Sequence, residues 1–273
     1  MSGPAGGGGG RGGIAIDFRR GRTAKDQLQI AWDYPVWKPK DTPAGEQPQG
    51  GTVAVEREHA LPLAAAMELV VADDRRPLLV LRECEKCKGT DHALLSRTLD
   101  NEQTTLLTHW FHCVKLPPNV LEADHPLTAL FKRQQEGERI PHLFFCDPDG
   151  SNKVPLPGDQ SQTQLWETMF SFLDRCYEGN AKKAVKEMRG VLSQFDRIDN
   201  QLEEIKGRID REIEKRGPES DKVPKLQAEI TKLEQEREKL FEREKNIRAL
   251  ALKDLAEGSK AAAPAAKGEA GPR

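Results

Sequence analysis

From Val191 to Leu250 the apolar residues of this chain fall almost in single file. Val191, Leu192, Phe195, Ile198, Leu202, Ile205, Ile209 and Ile213 follow one another in steps of three and four. Leu226, Ile230, Leu233, Leu240, Ile247 and Leu250 resume the stripe, with Arg237 at an intervening position. Two apolar residues per heptad cover one facing helix and are too few for a globular core. The stretch RGPESDKVP interrupts the stripe, because Gly217-Pro218 cannot continue a helix. The pattern predicts an antiparallel coiled-coil hairpin over residues 180–257, with arms of about 30–35 residues, each roughly 50 Å long at 1.5 Å per residue. The first arm's stripe can be covered by the second arm, by a second copy of the chain, or by both.

The remainder reads differently. Apolar residues make up 37% of the 273 and charged residues 32%, a low apolar share for one globule, so part of the chain is expected outside any core. Residues 1–51 begin with a Gly-rich stretch expected to be disordered. AWDYPVWKPKDTP then sets Trp32, Tyr34 and Trp37 between prolines. An extended segment pinning its aromatics to a domain surface is the favoured reading, and a partner-docking peptide is the alternative. TPAGEQPQGG reads as linker, and residues 258–273 as a disordered tail.

Residues 52–179 carry the mixed pattern of an α/β domain. EREHALPLAAAMELVVADD predicts a helix, with Leu63, Ala66, Met67 and Val70 on one face and Pro62 confined to its first turn. Leu78 to Arg82 predicts a strand, HALLSRTL a helix, and Glu102 to His109 another, capped by Asp100. WFHCVKL reads as a buried strand and HPLTALFKRQQEG as a helix. PHLFFCDPDGSNKVPL reads as two strands around an Asp-Pro-Asp-Gly turn. Ser161 and Gln164 form a capping box ahead of the helix LWETMFSFLDRCY.

Five cysteines stand at 84, 87, 113, 146 and 176. Cys84-Glu85-Lys86-Cys87 follows an apolar strand directly, and three chemistries suit it: a redox pair, half of a metal site, or two structural thiols. A cysteine at a helix N-terminus meets unpaired N–H groups and the positive end of the dipole, which favour thiolate. Its partner three residues on lies one turn away, within reach of a disulfide. Lys86 and Lys88 add to the thiolate preference and Glu85 opposes it. Zinc needs two further ligands, drawn from His92, His109, His112, Cys113, His142 and Cys146. Strand alternation sends His112 and Cys113 to opposite faces, and no second pair stands at finger spacing, so no metal is expected. Cys113, Cys146 and Cys176 lie in apolar runs and read as core thiols.

Three stretches in this order resemble the thioredoxin fold over residues of about 57–178: PLLVLRECEKCK, LDNEQTTLLTHWFHCVKL and RIPHLFFCDPDGS. The resemblance implies a central mixed sheet flanked by helices, a thioredoxin-like sandwich. It further implies Cys84 as nucleophile, Cys87 as resolving thiol, a cis Pro141 facing them, and a backbone at Ile140 that pairs with an extended substrate strand. The sequence departs from thioredoxins in carrying Glu85-Lys86 between the cysteines, Glu83 in place of an aromatic, and no acid within the strand 78–82.

The formal charge of −2 and the alternating acids and bases of the hairpin offer no bulk attraction to nucleic acid or an anionic membrane. There is no phosphate-binding loop, no Ser/His/Asp signature, no membrane-length apolar run and no secretory h-region. The expected compartment is the cytoplasm, where thiols stay reduced. The expected function is thiol–disulfide exchange on a protein substrate without a cofactor, with the coiled coil serving dimerisation or docking. The alternative is a non-catalytic adaptor of the same fold that works through its coiled coil.

Overall fold

The computed structural model describes residues 20–35, 59–83, 91–132 and 139–254. The Gly-rich N-terminus, Trp37, the TPAGEQPQGG linker, the Cys84–Cys87 pair and the C-terminal tail lie outside the described residues. The described chain is α/β, with a mixed sheet of five strands. The strands are β1 (Trp32–Asp33), β2 (Leu78–Arg82), β3 (His112–Leu116), β4 (Leu143–Cys146) and β5 (Val154–Leu156), in the order β1-β3-β2-β4-β5. β1 and β2 run parallel to β3, β4 runs antiparallel to β2, and β5 antiparallel to β4.

All five residues of β2 are buried, which matches its unbroken apolar run. Its alternate side chains feed two separate cores. Leu78 and Val80 join Val114, Phe144 and Cys146 against helix α2 (Leu63–Val71), which presents Ala66 and Val70. Leu79 and Leu81 join Cys113, Leu143 and Phe145 on the opposite face. That face is covered by α4 (Gln162–Cys176) and α5 (Ala181–Arg216). The two remaining short helices are α1 (Arg22–Asp26) and α3 (Glu102–Thr108), and the last long one is α6 (Lys222–Arg248).

Local signals explain most boundaries. Pro62 precedes the first residue of α2, where its missing N–H costs nothing. The Ser161 hydroxyl accepts from Gln164 N–H at the start of α4. Gly150 takes φ +79° in the β4–β5 turn, its N–H bonded to Asp147 O at 2.8 Å, and a Cβ there would stand 2.8 Å from Met67 Cε. α5 ends at Gly217, and Pro224 falls inside the first turn of α6.

Two expected helices do not form as read. HALLSRTL makes one turn and stops. Asn101 explains why, since its Oδ1 accepts from Ser96 N–H and its Nδ2 donates to Ser96 O, while Ser96 Oγ takes the N–H groups of Thr98 and Leu99. Side chains that bond locally in this way replace the i→i−4 ladder. HPLTALFKRQQEG yields a 3₁₀ turn at Thr128–Phe131, after which Lys132 is extended and the description breaks at 133–138.

The described part of the N-terminal segment, residues 20–35, touches the domain. Trp32 packs on the α5 side of the sheet within edge strand β1, whereas Tyr34 is 58% exposed. α1 rests on α5: Gly21 N–H donates to Asp196 and Thr23 N–H to Asp199, so carboxylates of another helix take its orphan donors. Arg20 bridges Asp196 and Glu102, both at 2.7 Å.

α5 and α6 lie antiparallel along each other, with Phe195 and Phe241 rings 4.9 Å apart and Arg208 facing Glu229 at 3.9 Å. The first half of α5, from Ala181 to Ile198, is buried in the same core as the sheet. The far end of α6 is stitched to that body. Trp110 Nε1 donates to Arg248 O, Arg248 Nη2 to Gln27, and His109 Nε2 to Gln27 O at 2.8 Å. No described helix is long and apolar enough to cross a membrane.

Two expected outcomes follow from this packing. Phe195 is fully buried where sheet, α5 and α6 share one core. Phe195→Ala should cost about 3–5 kcal/mol in urea denaturation and keep a single transition; a second transition would mean that the α5–α6 layer melts alone. Burial, with the nearby Arg248 charge, pulls the His109 pKa down to about 4. The unfolded chain therefore binds the proton first as pH falls below about 6.5, and stability is lost between there and pH 4. Between pH 7 and 5 the loss from this residue is about 2 kcal/mol. Denaturation midpoints of wild type and His109→Gln should diverge at pH 7 and converge by pH 5 by that amount.

Candidate functional site

The carboxyl ends of parallel strands are where α/β sheets carry their sites, because the loops there leave the sheet together. Here those ends belong to β1, β2 and β3. Cys84 and Cys87 fall in residues 84–90, outside the described residues, but both flanks of that stretch are described. On its near side, Arg82 N–H donates to His142 O at 2.8 Å and Glu83 N–H to Leu116 O at 2.9 Å. Glu83 is thus held at the ends of β3 and β4. On its far side stands Asp91, whose O accepts from the N–H groups of Leu94 and Leu95.

Lys115 joins the two flanks. Its ammonium lies 2.6 Å from Asp91 Oδ1 and 3.4 Å from Glu83 Oε1, with the side chain only 8% exposed. The Trp32 ring centroid is 5.4 Å away, so β1 supplies an aromatic face to the same cation. Burial alone opposes the charge, but the hydrogen bond and field of Asp91, with smaller help from Tyr34 and Glu83, raise the Lys115 pKa. The ammonium is therefore a fixed positive centre between the residues that bracket the Cys-x-x-Cys sequence. A lysine inside an apolar strand was the signal for it, since WFHCVKL reads as buried from end to end.

Ile140 and Pro141 stand just ahead of β4, beside the end of β2. Ile140 packs on the α2-side core and Pro141 is half-buried. The peptide bond between them is trans, which corrects the cis geometry implied by the resemblance. An X–Pro bond defaults to trans by about 0.5–1 kcal/mol. The chain next to it is already fixed in the sheet, with His142 N–H on Leu156 O and His142 O on Arg82 N–H.

His142 places its Nδ1 3.5 Å from Arg82 Nη2. Burial and the Arg82 charge lower its pKa, so the neutral ring is favoured. A glycine is needed next to it: Gly158 has φ +97°, and a Cβ there would stand 3.0 Å from His142 Cβ and 3.1 Å from its ring. Beyond Gly158 an open groove of about 360 Å³ runs between residues 92–99 and 158–165, with Leu95 and Leu165 in its lining. Leu99, 55% exposed, stands on its edge. Gln160 Nε2 donates to Ala93 O and ties the two walls together.

The other sequence candidates are scattered. His109 bonds Gln27 and His112 bonds Asp33, while Cys113 and Cys146 belong to opposite faces of the sheet. Among the described residues no three His, Cys, Asp or Glu side chains converge. Cys113, Cys146 and Cys176 are buried core thiols, as expected, and burial pushes each pKa up to about 12.

Comparison with protein-family models, with curated proteins and with solved structures found no match to this chain.

Thiols held in the neutral form and closed to water are poor nucleophiles. Iodoacetamide at pH 8 should leave Cys113, Cys146 and Cys176 unmodified in the native protein and label all three in urea, read by peptide mass spectrometry. Fast native labelling of any of them would contradict the burial described.

Proposed function

We propose that the chain is a thioredoxin-like thiol–disulfide oxidoreductase acting on a protein disulfide through Cys84 and Cys87. The observation that carries this reading is the 2.8 Å bond from Arg82 N–H to His142 O. It sets the strand leading into Cys84 beside the strand that follows Ile140-Pro141, the two motifs on which the resemblance rests. The strand order β1-β3-β2-β4-β5, with two parallel and two antiparallel pairings and β4 alone reversed, supports the same fold.

In the proposed cycle the Cys84 thiolate attacks one sulfur of the substrate disulfide and expels the other as a thiolate. The Cys87 thiolate then attacks Cys84 Sγ, releases the second substrate thiol and closes a Cys84–Cys87 disulfide. Two electrons leave the enzyme dithiol and two substrate thiols form. An external dithiol reductant returns the pair to its starting state, and no cofactor takes part. Lys115 would tie together Glu83 and Asp91, the residues that bracket the dithiol sequence, and with two carboxylates on one ammonium the cluster gives no net positive field. The backbone at Ile140-Pro141 would orient an extended substrate segment, and the α5–α6 coiled coil would dimerise or dock the domain.

The trans Ile140–Pro141 bond favours a second reading, a non-catalytic adaptor built on the same fold. Turnover separates the two. With a dithiol reductant, the full chain should reduce a model protein disulfide, and Cys84→Ser/Cys87→Ser should lower the rate at least 100-fold with an unchanged circular dichroism spectrum. A wild-type chain without turnover, or a double variant that keeps it, would sink the oxidoreductase reading.

A further inference from the structure

One side of the α5–α6 pair carries two open grooves. The first, of about 320 Å³, has Ile205 and Leu233 in its lining and Glu204, Arg208, Glu229 and Lys232 around them. The second, of about 430 Å³, lies toward the other end of the pair, between Lys183 and Glu187 of α5 and Arg243 and Asn246 of α6. Their lining residues share a heptad phase. Glu187, Gln201 and Arg208 are spaced by multiples of seven along α5, and so are Glu229 and Arg243, and Lys232 and Asn246, along α6. One heptad phase keeps to one side of a helix pair, so both grooves open on the same face.

That face is turned away from the sheet body. The α5 residues that hold the body fall in the remaining phases: Arg189 and Asp196 on Glu102 and Arg20, Asp199 on Thr23, and Met188, Leu192 and Phe195 in the core. Gly190 shares the phase of Lys183 and Glu204 on the groove side. A Cβ built there would have no atom within 4 Å. A mid-helix glycine costs about 1 kcal/mol relative to alanine, and no described residue uses the space it leaves for a second backbone to approach.

We propose that this face is a homodimer interface, on which the α5–α6 pair of a second copy packs groove to groove. The charges select that occupant. An isologous contact brings a patch against itself, so a patch of one sign repels its own copy. The rim of the Ile205–Leu233 groove carries two acids and two bases, Glu204 and Glu229 against Arg208 and Lys232. Each acid can face a base of the other copy, whereas a strongly acidic or basic partner would meet a neutral rim. This inference takes up the dimerisation proposed above for the coiled coil, and it stands or falls apart from the dithiol chemistry.

Sedimentation equilibrium of the full chain tests it. At tens of micromolar, wild type should show twice its mass of 30.5 kDa. Glu204→Lys/Glu229→Lys makes the rim wholly basic and Arg208→Glu/Lys232→Glu makes it wholly acidic, all four residues being exposed. Each double variant should weaken self-association at least 100-fold, with an unchanged circular dichroism spectrum, and an equimolar mixture of the two should regain the doubled mass. Wild type that stays at 30.5 kDa at 100 micromolar overturns the proposal. So do double variants that remain dimeric, and so does a mixture that fails to reassociate.

Discussion

β2 is closed to water on both faces, and much of the molecule answers to that constraint. A strand with every side chain buried needs two helix layers, because each face must find its own apolar cover. On one side α2, whose Ala66 and Val70 let a short helix sit close to Leu78 and Val80, shares the cover with Val120, Leu127, Leu130 and Phe131. The other side is wider and takes α4 together with the first half of α5. α5 therefore serves two hydrophobic jobs along one axis. Its early turns close a globular core, and its later turns, past Ile205, meet α6 and the turn that leads into it among the described residues.

That division explains how far the sequence could be read. The apolar steps from Val191 to Ile213 announce a long helix, and Gly217-Pro218 announces its end. The same steps say nothing about which residues meet a sheet and which meet a helix, because Ile198 and Ile209 look alike in sequence. Strands were legible where an apolar run was dense, as in Leu78–Arg82 and Leu143–Cys146. Helices failed where short polar side chains competed for the backbone, as Ser96 and Asn101 do. Segment 125–137 carried an apolar pattern, but its described part spends only four residues in a 3₁₀ turn.

The candidate site was half legible. Cys84, Cys87 and Ile140-Pro141 are local motifs and stand out one at a time. The groups that join them do not. Lys115, Asp91, Glu83 and Trp32 come from four separate stretches, and only strand register brings them together, with Trp32 opposite Cys113 and Arg82 opposite Leu116. A buried lysine in an apolar strand is a visible anomaly, but its partners are a property of the sheet and not of the sequence around it. Electrostatic centres of this kind are the last thing a pattern of apolar spacing can reveal.

The docking of α1 on α5 has a bearing on how the chain is made. Gly21 bonds to a residue 175 positions later in sequence, and Thr23 to one 176 later. During synthesis at about 5–20 residues per second, those carboxylates reach the growing chain roughly 10–35 s after the segment that needs them. Until then β1 has its β3 partner made but not its anchor. The first described element is thus among the last to be locked in place, and the edge of β3 stays open to other strands for that interval.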